Sequence, residues 1–217
     1  MKGIRKIQTE FESACDQLLI KRMEMVDLTD RAENAFKRLQ QSLDHEVFGR
    51  LYFHRHFDDY RNYPVYESRV QGGFQIHSGV RHLGIVSFTE DGKRNLKSHW
   101  ERGATISFSQ SPSGEVMVLL YPYKSKLSSV KEEFIAIGLY SRPSKVTVAR
   151  LEGLFRRFLK YSMYTSAHYP MSLKSYYYRL WLTYLDARNK KAPVLVKNTE
   201  RILLFVATVG AFWISLK

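Results

Sequence analysis

Residues 104–123 read ATISFSQSPSGEVMVLLYPY, and this stretch decides the fold class of the chain. In Ala104–Gln110, apolar side chains alternate with hydroxyl side chains, which is the period of two typical of a strand with one buried face. A second apolar run, Glu115–Tyr123, follows after Ser111-Pro-Ser-Gly114, whose residues favour a tight turn. Two strands separated by so short a turn predict an antiparallel hairpin.

Further strands are predicted on both sides of this hairpin. The clearest are Leu83–Thr89 and Phe134–Tyr140, and Asp91-Gly92 marks a second turn. Sequential strands with short connections are typical of an antiparallel meander. Residues from about 148 to 166 carry a helical apolar face that would cover the sheet. We therefore predict an α+β domain over residues 49–168.

Residues 1–48 predict a long N-terminal helix. Their apolar side chains recur at alternating spacings of three and four, with Lys21 as a polar exception. This heptad pattern favours either a coiled coil between protomers or a helix packed on its own domain. Alternatively, Asp27-Leu-Thr-Asp30 would cap a second helix and produce a helical hairpin. Cys15 lies within the apolar pattern, so we expect it in the core. The apolar positions are Ile4, Ile7, Phe11, Ala14, Leu18, Met25, Leu28, Ala32, Ala35 and Leu39.

Residues 201–217 are predicted to form a C-terminal membrane anchor. The uncharged run 202–216 lies between Arg201 and Lys217, and as a helix it would be about 22 Å long, against about 30 Å for a bilayer core. Its apolar character on every side and its basic ends favour a single transmembrane helix, with the N-terminal bulk in the cytoplasm. Its β-branched residues suit a buried core element as the alternative. The predicted membrane contacts are Ile202, Leu203, Leu204, Phe205, Val206, Phe212, Trp213, Ile214 and Leu216.

Positive charge is concentrated in the last third of the chain. The net charge is +13, and residues 145–217 hold 13 of the 34 Lys and Arg residues but 3 of the 21 Asp and Glu residues. A basic flank is typical of the cytoplasmic side of a membrane span, where it contacts anionic lipid. It equally suits nucleic-acid phosphates, which leaves a basic nucleic-acid-binding protein as the alternative. The predicted lipid or phosphate contacts are Arg156, Arg157, Lys160, Arg179, Arg188, Lys190, Lys191, Lys197 and Arg201.

Residues 169–200 are predicted to be a basic, aromatic juxtamembrane region. The segment 171–188 is rich in tyrosine and has a helical face that includes Leu173 and Leu180. Tyr and Trp prefer the bilayer interface, because one end of the side chain is apolar and the other hydrogen-bonds to water. We expect an interfacial helix, and an aromatic-rich core helix is the alternative. The predicted interfacial side chains are Tyr176, Tyr177, Tyr178, Trp181 and Tyr184.

One short string carries candidate metal ligands. On a strand, His54, His56 and Asp58 would point the same way and form a comb of ligands. The string Leu51–Asp59 resembles the HxHxDH motif of metallo-β-lactamase-fold hydrolases, and this resemblance implies a metal-dependent hydrolase. It departs from the motif at the last position, where Asp59 replaces the third histidine. The alternative is a polar strand edge with solvated histidines.

The remaining chemistry favours binding over catalysis. The sequence contains no GxSxG elbow, no phosphate-binding P-loop and no GxGxxG motif. We expect no catalytic residues and no cofactor, and we expect a homo-oligomer or a partner protein. The leading interpretation is a tail-anchored membrane protein with a cytosolic domain that binds a ligand or partner. A class-level analogy extends it to an oligomerising, membrane-perturbing effector of the bacterial antiviral defence or toxin type.

Overall fold

The hairpin at residues 104–123 lies at the centre of an α+β fold. A computed structural model describes residues 2–44, 49–56, 72–88, 96–126, 130 and 132–190. Its helices are α1 (Lys2–Ser42), α2 (Val148–Thr165) and α3 (173–190), with a 3-10 turn at Pro143–Lys145. Its strands are β1 (Leu51–Arg55), β2 (Gly73–Ser78), β3 (Arg81–Phe88), β4 (Leu96–Arg102), β5 (Thr105–Gln110), β6 (Val116–Tyr121), β7 (Lys124–Ser125) and β8 (Ile135–Tyr140).

The strands form two antiparallel sheets. The larger sheet has the order β1-β2-β5-β6-β8, and the smaller has the order β3-β4-β7. The meander is therefore confirmed, with β3 and β4 as an excursion between β2 and β5. The predicted turn at Asp91-Gly92 lies outside the described residues.

The central hairpin follows the predicted alternation. Thr105 pairs with Tyr121 and Gln110 with Val116. At the turn, the Gly114 N–H donates to the Ser111 carbonyl over 2.9 Å, and Gly114 has a φ of +81°, which favours glycine. The side chains that alternate inward are fully buried, so one face of the sheet forms the floor of the core: Ile106, Phe108, Val118 and Leu120.

Helix α1 is continuous, so the alternative of a helical hairpin is wrong. The helix runs through Asp27–Asp30 without a break, and the two aspartate carboxylates pair with Arg31 and Arg55 instead of capping a new helix. Its C-terminal half packs into the same core as the sheet. The expectation that Cys15 is a core residue is also wrong, because every residue from 3 to 17 is exposed.

Ion pairs fix α1 to the rest of the domain. Arg55 on β1 lies 2.8 Å from Asp30 and also pairs with Glu33. Near the 3-10 turn, the Arg142 guanidinium donates to Glu24 over 2.7 Å, and the Ser144 N–H donates to the same carboxylate over 3.3 Å. Burial raises the pKa of the Glu24 carboxyl, but the hydrogen bonds from Ser144 and Arg142 outweigh it and hold that pKa below its ordinary value.

Replacing Phe108 by alanine tests the floor of the core. Phe108 stacks on Phe74 with ring centroids 4.4 Å apart and meets Phe155 of α2 edge-on. We expect Phe108→Ala to lower the free energy of unfolding by about 3–5 kcal/mol in urea denaturation, because it leaves a cavity among rigid rings. Met117→Ala, on the outer face of the paired strand, is the control and should cost less than about 1 kcal/mol.

The lowered pKa of Glu24 predicts an acid-sensitive contribution to stability. A carboxyl whose pKa is lowered by folding stabilises the fold at pH values above its ordinary pKa of 4.5. This stabilisation is lost as the pH falls through the lower pKa of the folded state. Glu24→Gln should therefore unfold at lower urea concentration than the parent chain at neutral pH, and the gap should narrow below about pH 4. Glu133→Gln, at an exposed position just before β8, is the matched control. A gap that stays constant with pH would contradict the assignment.

Candidate functional site

Helix α3 packs along β8, an edge strand of the larger sheet. Its first turn is capped reciprocally by two serines, since the Ser172 hydroxyl accepts from the Ser175 N–H over 3.2 Å and the Ser175 hydroxyl accepts from the Ser172 N–H over 3.0 Å. Near its end, Asp186 accepts from the main-chain N–H of Ala136 over 2.7 Å, and Asn189 donates to the Ala136 carbonyl over 2.8 Å. Ala136 lies on β8, so these side chains occupy groups that an edge strand leaves free for another strand.

The two sides of α3 differ sharply in burial. Leu182 and Leu185 on the inner side are part of the core. The outer side, which we call the aromatic face, forms one stripe at helical spacing, with exposed fractions from 40% for Trp181 to 77% for Leu173. The aromatic face consists of Leu173, Tyr176, Tyr177, Leu180, Trp181 and Tyr184. The inner side of α3 is thus part of the core. The helical face that was predicted from Leu173 and Leu180 points outward.

Tyr178 belongs to the inner side, unlike the other predicted interfacial aromatics. Its hydroxyl donates to the Arg157 carbonyl of α2 over 3.2 Å, and burial raises its pKa to about 12. The Lys160 ammonium lies 4.6 Å from its ring centroid. Tyr178 therefore joins α3 to α2 and is half-buried between them.

Cations border the aromatic face. The Arg157 guanidinium lies 5.3 Å from the Trp181 ring centroid, close enough for a cation–π interaction. Arg156, Lys160 and Arg188 are exposed. A molecule that covers the aromatic face would therefore meet positive charge at its border.

Two of the predicted lipid or phosphate contacts already have anionic partners. Arg179 donates twice to Glu132, over 2.9 and 3.1 Å, and Lys190 lies 2.8 Å from Asp186. Lys191, Lys197, Arg201 and the whole predicted anchor from Ile202 to Leu216 lie outside the described residues. None of the described helices combines the length and the apolar character needed to cross a membrane.

The histidines of the predicted metal site lie on the outer face of the sheet. The rings of His54 and His56 are 5.9 Å apart, edge to face, and His77 stacks on Tyr52 at 5.4 Å. Burial, and then the charge of His54, lower the pKa of both His56 and His77. Asp58 lies outside the described residues, and within those residues no three side chains of His, Cys, Asp or Glu are grouped as metal ligands.

An ion pair with a buried carboxylate, beside α2, was not predicted from the sequence. Glu101 on β4 is 1% exposed and accepts from Arg81 over 2.8 Å and from the Ala167 N–H over 2.7 Å. Arg81 also donates to Ser166 and stacks on the Tyr123 ring. Arg81, Tyr123 and Ser166 line a cavity of about 340 Å³. Because Arg81 and Glu101 satisfy each other, they fix the segment after α2 and do not present a free charge to a ligand.

The comparisons with known proteins add no relative. No protein family, curated protein or solved structure matches this chain.

Two leucines two positions apart on α3 test the difference between its sides. Leu182 is fully buried, and Leu180 is 53% exposed. We expect Leu182→Ala to lower the free energy of unfolding by about 2–5 kcal/mol and Leu180→Ala to change it by less than about 0.5 kcal/mol. Urea denaturation of the two variants measures both values. Equal losses would show that the aromatic face is covered by the domain.

Proposed function

We propose that this chain is a non-enzymatic membrane protein whose α+β domain lies against the cytoplasmic leaflet through the aromatic face of α3. The observation that carries the proposal is the single stripe of six large exposed side chains on α3. Soluble monomeric proteins seldom expose a contiguous apolar patch of this kind unless it binds something. The apolar run 202–216 would supply a membrane-spanning helix next to it.

The chemistry of the aromatic face suits lipid. Leucine side chains enter the acyl region, whereas Tyr and Trp place their polar atoms among the head groups. Exposed cations near this face, Lys160 on α2 and Arg188 on α3, would contact anionic head groups, each contributing about 1 kcal/mol. Eleven residues separate Lys190 from Ile202, so a fully extended link reaches about 40 Å. A spanning helix at 202–216 would therefore keep α3 near the bilayer surface.

Binding is a better assignment than catalysis for the described part of the chain. The buried carboxylate of Glu101 is satisfied by the half-buried Arg81, and the histidines of the outer sheet face lack a third grouped ligand among the described residues. Perturbation of the membrane would follow if several copies gathered in one bilayer. Dye leakage from liposomes would test that step, and equal leakage from the full chain and from a chain ending at Glu200 would exclude it.

Flotation with lipid vesicles tests the membrane proposal. A chain ending at Glu200 keeps α3 and lacks the apolar run, so its binding does not depend on the predicted membrane-spanning helix. We expect it to float with phosphatidylcholine vesicles that contain phosphatidylserine, and Trp181→Ser to weaken binding about tenfold, because a large aromatic side chain no longer leaves water. Trp100→Ser is the matched control, since Trp100 is 56% exposed on β4.

The outcomes separate the remaining alternatives. Equal flotation of the Trp181 and Trp100 variants would contradict a role for the aromatic face. Weak flotation together with tight, steeply salt-dependent binding of single-stranded RNA or DNA would favour the nucleic-acid alternative, since aromatic rings beside cations also stack bases. Carbonate extraction of membranes tests the apolar run independently, and only the full chain should resist it.

A further inference from the structure

The first part of α1 projects from the domain. Every residue from 3 to 17 is exposed, whereas Met25 and Leu28 on the same stripe are buried. Lys21 marks the change, because its ammonium donates to the Ser113 carbonyl over 3.0 Å and its side chain lies against the turn at Gly114. The polar exception in the heptad pattern is thus the point where α1 meets the central hairpin.

The projecting part carries an apolar stripe that no other described residue covers. Ile4, Ile7 and Phe11 are 69%, 68% and 70% exposed, and Ala14 continues the stripe. An isolated helix of about 15 residues is marginal in water, because most helical stability in proteins comes from packing of the apolar face. A second helix against this stripe would supply that packing.

We propose that two copies of this chain pair through residues 2–17 of α1 as an antiparallel coiled coil. Residues 2–6 hold three basic residues and no acidic one, whereas residues 10–16 hold three acidic residues and no basic one. A parallel pair would place like charges side by side, and an antiparallel pair places basic beside acidic. The first turn of α1 has no acidic residue, so its cations oppose the helix dipole, and the partner's acidic stretch relieves this repulsion.

The fold also sets the register of the pair. Beyond residue 17, the stripe is occupied by the domain, so the partner helix extends no further. Overlap of residues 2–16 places Ile4 on the partner's Ala14 and Ile7 on the partner's Phe11, and it sets residues 2–6 beside the partner's residues 12–16. Glu10 meets the partner's Glu10 near the two-fold axis, with Lys6 one turn away in each helix.

Moving the single cysteine tests this arrangement in the full chain, purified in mild detergent. In Gln8→Cys with Cys15→Ser, the cysteine flanks the two-fold axis and lies near its own copy, offset by about 3 Å along the helix. In Ala14→Cys with Cys15→Ser, the two cysteines meet in a parallel pair but lie about 15 Å apart in the antiparallel register. We expect mild oxidation to give at least tenfold more covalent dimer from the Gln8 variant on non-reducing electrophoresis.

Substitution of the stripe provides the second measurement. Ile7→Ser in the Gln8 reporter changes two layers of the pair and should reduce the covalent dimer about tenfold, whereas Ile20→Ser, which lies off the stripe, should leave it unchanged. A dimer from the Ala14 reporter alone would overturn the antiparallel orientation. No dimer from either reporter, or a yield insensitive to Ile7→Ser, would overturn self-pairing. Membrane binding plays no part in this readout, so the inference is independent of the proposed function.

Discussion

The inner face of the five-stranded sheet must be shielded from water, and the rest of the structure depends on how this is done. Phe74, Phe108 and Leu120 on this face are fully buried. One sheet face is too wide for a single helix, so α1, α2 and α3 all contribute side chains to the same core. Each helix buries one stripe of side chains in that core. The side chains on its other stripes, and those on a helical segment that extends past the sheet, remain available to other partners.

Local periodicity explains why much of this fold is predictable from the sequence. The alternation in residues 104–110 and the apolar face of residues 148–165 are properties of short segments, and both elements appear where expected. Strands such as β1 and β4 lack this signal, because His54, Arg55 and most of Leu96–Arg102 are polar. They are strands because β2 and β3 supply the pairing, and a pairing partner on another segment leaves no pattern within the strand itself.

The sequence predicts where the candidate surfaces lie but not which residues cover them, because the covering residues come from distant parts of the chain. A heptad pattern identifies a stripe but not what covers it, so Phe11 and Met25 look alike in the sequence, yet Phe11 is exposed and Met25 is buried. Cations show the same limitation. Arg179 and Arg188 are equivalent as letters, yet Arg179 is bound by Glu132 from 47 positions away, whereas Arg188 is exposed.

The two uncovered stripes differ in chemistry in a way that separates their partners. The stripe on α1 is narrow, aliphatic apart from Phe11, and accompanied by charges of both signs in separate blocks. An antiparallel copy of the same helix matches this pattern, because apolar residues meet apolar residues and basic residues meet acidic ones. The aromatic face of α3 is instead rich in Tyr and Trp and bordered by exposed cations, while the one acidic side chain of α3, Asp186, is bonded within the domain. The exposed cations of α3 have no acidic block beside them on that helix, so this face suits an anionic partner such as a lipid leaflet better than a second copy of itself.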